Sequence, residues 1–481
     1  MLMKNLLLLI VVICSLVFAA CSGSGSSEQS TTGSDGDATV GGDETSGTDD
    51  GAATGDSFDY TWHNSVSLIL ANRCVQCHTE GGIRSDTPLD DFDTAKGLAA
   101  LIKEKITERT MPPYLAGFDC NEYSNDERLT EAQIAAISDW ADNGAPEGQP
   151  KADQVVDVEP LLDYSMDRVD LELKLPTPYT PVSTPDDYRC FLMDWPETEV
   201  KYVTGWGVKV DNAKIVHHII AYYVPPENVA AYEAFEAAES EPGYACYGGP
   251  AGKGASSADQ RATWIGGWAP GGKAGKMPLN TGIKVKPGGK IALQMHYSMT
   301  QNEPSADQSS IVFQLEDSVE KPAFILPWTN FKWLGGDGMN IPAGESDVVH
   351  SFSNSPHMLF SFLGTVIDNP LTLHAVGLHM HVLGISGTVF VQRADGTTEE
   401  CLLDQPHYDF NWQRNYVFKE PVLIYPGDKL GVECHWDNSL QNQLLVDGKP
   451  RTPRDVSWGD GTVDEMCLAV FYVTGADEAP F

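Results

Sequence analysis

Positive charge is scarce in this sequence: 31 Lys and Arg stand against 68 Asp and Glu, a formal net charge of -37 over 481 residues. Such a surface repels phosphate backbones, which excludes nucleic acid as a partner and leaves anionic lipid without an electrostatic hold on most of the chain. Between Ser22 and Asp56 there is no Lys or Arg at all, only Ser, Gly, Thr, Ala, acid and a few other residues. A stretch of that composition does not bury enough apolar surface to fold, so residues 21–56 are expected to form an acidic, self-repelling tether. The chain also lacks an H-E-x-x-H helix, which removes a zinc hydrolase built on His379 and His381. No second cysteine pair stands near Cys74 and Cys77 before Cys120, which argues against a zinc site there.

What is present begins with an apolar run, Leu6 to Ile13, behind Lys4 and ending in Val17-Phe18-Ala19-Ala20-Cys21. This has the order of a secretory signal rather than of a spanning helix, and its last residues resemble a lipobox. Residues 1–20 are thus expected to be a lipoprotein signal peptide, with Cys21 acylated as the first mature residue and the chain held to a membrane by that lipid anchor. Ser22 rather than Asp after the cysteine points to the outer membrane of a bacterial cell envelope, facing periplasm or surface. Export permits disulfides. With Cys14 lost and Cys21 lipidated, and with Cys74 and Cys77 in a motif of their own, Cys120, Cys190, Cys246, Cys401, Cys434 and Cys467 remain as bridge candidates whose pairing the sequence does not fix.

Cys74-Val75-Gln76-Cys77-His78 is the C-x-x-C-H pattern, in which two thiols add to haem vinyl groups and the adjacent imidazole becomes an axial iron ligand. Leu98 to Ile106 has helical spacing and leads into Arg109-Thr110-Met111-Pro112-Pro113-Tyr114. That loop resembles the Met-Pro loop of small cytochromes c, which makes Met111 the expected sixth ligand of one covalently attached haem c, with His63 as the alternative. Thr130 opens a closing helix with a capping-box pattern. Residues 57–150 are accordingly expected to be a small all-α cytochrome c-like domain.

Beyond Lys151 short Val, Ile, Tyr and Phe runs are separated by Gly and Pro, which is the pattern of antiparallel β-sandwiches. Histidines gather there in two sets. His379 and His381, two apart on a strand, project from one face as a natural metal pair, while Leu378, Met380 and Val382 turn to the core. His217 and His218 are neighbours and point to opposite faces of a regular strand, so they share a metal only at a strand end or a distortion. His350, His357, His374, His407 and His435 are expected to be surface or packing residues.

Six ordered motifs, Ile215-Val216-His217-His218, Leu293-Gln294-Met295-His296-Tyr297, Leu378 to Gly384, Tyr425-Pro426-Gly427-Asp428, Glu433-Cys434 and Asp464-Glu465-Met466-Cys467, resemble those of the copper type II, ascorbate-dependent monooxygenases. The resemblance covers nearly all of residues 158–481. It implies two all-β, jelly-roll-like sandwiches, 158–319 and 320–481, with a solvent cleft between them and one copper ion on each. His217, His218 and His296 would hold an electron-transfer copper. His379, His381 and Met466 would hold the copper that meets O2 and substrate, the soft thioether favouring Cu(I). It also implies disulfides Cys434–Cys467 and Cys190–Cys246, and an external reductant, either ascorbate-like or a redox protein.

The activity that the resemblance implies is hydroxylation of an unactivated C–H bond, and the fused haem domain is expected to relay electrons from an external donor to the three-His copper. The short segment after Gly148 is expected to keep the haem domain beside the first sandwich. The peptide-amidating branch of the family carries an Arg, an Asn and a Tyr where this chain has Gly377, Leu468 and Val470. A peptide carboxylate would meet no charge-assisted partner there, so the organic substrate is expected to be less polar. The alternative is an exported haem and copper electron-transfer or copper-binding lipoprotein without hydroxylase turnover.

Overall fold

The computed structural model describes residues 59–476 except 81–83, 151–154, 157–164, 253–261, 270–274, 300–301, 336–337 and 447. The expected signal peptide, Cys21 and the acidic tether lie outside the described residues. No described helix is long and apolar enough to cross a membrane.

The first described region is helical. Thr61 caps the Trp62–Val66 turn, its side chain accepting the Asn64 N–H, and Ser67–Arg73 follows without a break. Phe92–Gly97, Ala99–Thr107 and Glu131–Asp142 complete the set. Thr130 and Gln133 form the capping box expected from the sequence, which satisfies two orphan backbone donors. Apolar residues three and four apart, including Val66, Ile69, Leu70, Ile102, Ile106, Ile137 and Trp140, close a separate small core.

Three main sheets follow. A long sheet runs in the order Leu171–Lys174, Ser310–Glu316, Lys201–Lys209, Thr281–Val285, Lys321–Trp328, Leu468–Thr474, Leu371–His379, Tyr416–Ile424. A five-stranded sheet (Tyr244–Ala245, Asp186–Asp194, Lys290–Ser298, Val216–Val224, Thr263–Trp268) covers its first half, and Phe191, Ile219 and Leu293 pack against Val203, Ile283 and Phe313. A four-stranded sheet (Val348–Asn354, Lys429–Trp436, Gly384–Gln392, Glu399–Gln405) covers the second half, with Val389 and Val432 against Phe324, Leu373 and Phe471. Two sandwiches therefore stand side by side, and they share one sheet. The join is a parallel pairing of Lys321–Ala323 with Thr281–Ile283, which lets backbone donors and acceptors at the boundary satisfy each other.

The helical region is tied to the second sandwich, which corrects the expectation from the short segment after Gly148. Residues 114–128 lie along the outer strand Tyr416–Ile424: Ser124 N–H donates to Val417 O (2.8 Å), Lys419 N–H to Glu122 O (2.9 Å) and the Tyr123 hydroxyl to Leu402 O (2.8 Å). Tyr114, Ala116 and Tyr123 enter the core of that sandwich. Cys120 and Cys401, which the sequence left unassigned, form a disulfide, and Arg414 and Glu127 make a buried ion pair at 2.9 Å. An exposed sheet edge offers unmet backbone groups along its whole length, and that outweighs nearness along the chain.

Candidate functional site

His217 and His218 lie on Val216–Val224, whose register against the His296 strand slips: Val216 faces Tyr297 and His218 faces His296, with His217 left over. This bulge supplies the distortion that two adjacent histidines need in order to share a site. The three rings come together, with His217 5.0 Å and His218 4.6 Å from His296 between centroids. One ring nitrogen from each lies within 4.8 Å of the others. His296 Nε2 donates to Asp186 Oδ1 (2.8 Å), which leaves its Nδ1 as an acceptor facing His218 Nδ1 at 3.2 Å. Tyr188 stacks on the His296 ring at 4.1 Å.

Both ring nitrogens of His217 are buried without a hydrogen-bond partner. Native interiors rarely leave such groups unmet, and the converging lone pairs of this set fit a bound cation. Burial, then His296 and His379, lowers the His217 pKa to about 3, and burial drives His218 well below the ordinary range. The rings are therefore neutral near pH 7, the form that ligates a metal.

His379 ends its strand and His381 follows it, with centroids 5.0 Å apart, while Leu378 and Met380 point into the core. Each Nδ1 is occupied, by Gln413 Oε1 (2.5 Å) at His379 and by the Asp464 carbonyl (3.1 Å) at His381. Fixing Nδ1–H in this way leaves Nε2 as the lone-pair donor on both rings. Burial lowers both pKa values, most strongly that of His381. Leu468 pairs with His379, and the chain approaches that pair through Met466, two residues before Leu468 and outside the ladder. Glu465 anchors that approach: its carboxylate accepts the N–H groups of His381 (2.9 Å) and Leu383 (2.7 Å) and the indole of Trp436 (2.9 Å). Burial pushes the Glu465 carboxyl up to about 7.

The Cys434–Cys467 and Cys190–Cys246 pairings are both present, the first bracing the strand behind Met466. Gly377 pairs with Val470 and lies two residues before His379, so Gly377, His379, Leu468 and Val470 share one face. A Cβ at Gly377 would come within 2.8 Å of Asn415 Oδ1, so the neighbouring loop already occupies the space a larger side chain would need.

The two histidine sets are brought close to one another. Phe410 stacks on His217 at 4.6 Å and meets His381 edge-on at 5.9 Å. Its loop is pinned by the Tyr408 hydroxyl, which donates to Met380 O and accepts from Met380 N–H. The 459–465 loop also crosses between the sandwiches, so described residues bridge the place where an open cleft was expected. Phe410, Gln413, Asp186 and Thr462 carried no sequence signal. Glu465 stood inside a recognised motif without a role.

In the helical region Cys74 and Cys77 follow the Ser67–Arg73 helix, are half-buried and take no part in a disulfide. One backbone turn joins them to the imidazole, His78 N–H donating to Cys74 O (3.0 Å). His78 Nδ1 lies 2.9 Å from both Thr87 O and Thr87 Oγ1, which leaves Nε2 as the outward nitrogen. Met111 is half-buried after the Ala99–Thr107 helix, and His63 sits 3.7 Å from Glu147. His350, His357 and His374 engage Asn340 O, Asn369 O and Thr474 Oγ1, and His435 faces Asp347 and Glu433.

Part of this sequence matches a known class of protein. Residues 363–477, which carry His379, His381 and Met466, match the family described as "Copper type II ascorbate-dependent monooxygenase, C-terminal domain". Among individual proteins, the chain is 26% identical over 279 residues to DBH-like monooxygenase protein 2 of Mus musculus, covering 54% of this chain and 38% of that protein. It is 24% identical to DBH-like monooxygenase protein 1 of Gallus gallus, covering 54% and 39%. Dopamine beta-hydroxylase of Canis lupus familiaris is 30% identical over 98 residues, 20% of this chain and 14% of that protein. The matches span less than two-fifths of the length of these relatives.

Proposed function

We propose that the chain is a copper-dependent monooxygenase that hydroxylates a C–H bond of an apolar organic substrate with O2. The observation that carries this is the His379–His381 pair: two neutral imidazoles with each Nδ1 fixed by a hydrogen bond, at the end of the strand that pairs with the one following Met466. Copper at the two sites would supply O2 activation and the second of the two electrons that hydroxylation consumes. The protein's own part is to present lone pairs and to shape the substrate face. Gln413 and the Asp464 carbonyl hold the two rings in one tautomer. Phe410 packs against one histidine of each set. Gly377, Leu468 and Val470 put no charged side chain on the face beside the pair, and the nearest polar group over Gly377 is the Asn415 amide oxygen. A peptide carboxylate brought there would lose its hydration without a compensating partner.

The same proposal includes a haem c on Cys74, Cys77 and His78, with Met111 or His63 completing the iron, as the relay from an external reductant. It also includes lipid anchoring through Cys21 in a bacterial cell envelope. Incubating the copper-loaded, ascorbate-reduced chain with a panel of C–H substrates under 18O2 tests the reading. One labelled hydroxyl per turnover is expected; oxygen consumption that never labels an organic product would overturn it.

A further inference from the structure

The loop from Gly459 to Glu465 belongs by sequence to the second sandwich and runs directly into Met466, yet the first sandwich holds it. The Tyr247 phenol oxygen accepts the N–H groups of Asp460 (2.9 Å) and Gly461 (3.1 Å) and donates to Asp464 Oδ2 (3.0 Å). Thr462 donates its hydroxyl to Asp186 Oδ1 at 2.7 Å, the same oxygen that accepts from His296 Nε2. Tyr188, stacked on His296, donates to the Asp460 carbonyl. At its other end the loop meets the second histidine set, where the Asp464 carbonyl accepts from His381 Nδ1 and the Glu465 carboxylate from the His381 N–H.

The anchor for this hold is stiff. Tyr247 follows Cys246, which is disulfide-bonded to Cys190, and the Gln294 amide donates to the carbonyls of Cys246 (2.9 Å) and Gly249 (3.0 Å). A histidine of each set is thus hydrogen-bonded, directly or through Asp186, to one short loop that ends at a third candidate ligand.

We infer that Tyr247, Asp186 and Thr462 are positioning residues that link the two metal sites, so that a metal held at the His296 set fixes the 459–465 loop and raises the affinity of the His379, His381 and Met466 set. This rests on the two-copper reading above. A metal at the first set immobilises His296 and, through Asp186, Thr462. The loop then loses less freedom when Met466 engages the second metal. Linkage makes the effect reciprocal, and coupling between sites in proteins commonly amounts to roughly 5- to 150-fold in affinity.

The test is Cu(I) titration of the full chain against a competing chelator, together with copper-edge X-ray absorption to count sulfur ligands from Met466. In the wild type, filling the first set should tighten the second by a factor in that range, with a Cu–S contact in the doubly loaded protein. Tyr247→Phe and Thr462→Val remove only hydrogen-bonding groups, and Tyr247 is 57% exposed, so the fold tolerates the first change. Both should abolish the dependence of one site on the other and weaken the Cu–S signal, and Thr462→Ser should restore both. Independent sites in the wild type, or coupling that survives both hydroxyl deletions, would overturn the inference. A chain that takes up two coppers independently leaves the two-copper reading standing, whereas uptake of none sinks that reading itself.

Discussion

At the scale of single residues the proposed second copper site would rest on neutral imidazoles and on the Met466 thioether. Met466→Ala is expected to nearly abolish oxygenation while the His217, His218 and His296 set still binds copper, because only the second site loses its soft ligand. Copper stoichiometry and product yield measured on one sample check this; full product yield would remove Met466 from the site. A different histidine reports on stability. His374 donates to or accepts from Thr474 at 2.9 Å, and burial, helped by Lys321, lowers its pKa from 6.5 to about 4. The unfolded chain therefore binds a proton that the folded chain refuses. The resulting stability is complete above about pH 6.5 and is lost as pH falls through about 4. His374→Gln keeps a hydrogen bond without titrating, so its urea midpoint should fall less than that of the wild type between pH 7 and pH 4.5.

At the scale of elements, the strap of residues 114–128 decides where the helical region sits. Arg414 follows Gln413, the partner of His379, and pairs with Glu127 on the strap. Both side chains are about nine-tenths buried, at 11% and 9% exposure. Removing one member strands the other charge in the interior, which typically costs about 3–5 kcal/mol. Glu127→Ala should show a loss of that order in chemical denaturation. Glu127→Ala combined with Arg414→Met should recover most of it, since apolar replacement of a buried pair is often neutral. A double variant no better than the single would mean that the strap is held by its backbone bonds alone. The bulge at His217 belongs to the same scale, because it arises from how two strands align rather than from either strand's composition.

At the scale of the whole molecule, Cys120–Cys401 closes a sequence separation of 281 residues and fastens the helical region to the second sandwich. Cross-links over long loops chiefly restrict the unfolded chain, and losing a native one commonly costs about 2–5 kcal/mol. Cys120→Ser with Cys401→Ser should lower the melting temperature and expose residues 114–128 to limited proteolysis and amide exchange. Unchanged protection there would show that the Tyr123 and Ser124 hydrogen bonds suffice. Tyr114, three residues beyond Met111, packs edge-on against Tyr416 and under Arg414, next to Gln413, the partner of His379.

What the sequence determined by itself is local chemistry. The two-residue spacing of His379 and His381 at a strand end brought their rings within 5.0 Å, the capping box at Thr130 opened its helix, and the C-x-x-C-H turn placed two cysteines beside an imidazole. Each of these depends on backbone geometry within a few residues. The ordered motifs also carried the resemblance to a family whose C-terminal domain matches residues 363–477. Only the tertiary structure decided the rest. His217 and His218 share a site because a partner strand slips by one residue, and Cys120 finds Cys401 because a sheet edge needed covering. Phe410, Asp186 and Thr462 stand between the two histidine sets because two sandwiches share one sheet. Pairing across hundreds of residues is fixed by which buried backbone and side-chain groups satisfy one another, and that information is spread over the whole chain rather than written in any one stretch of it.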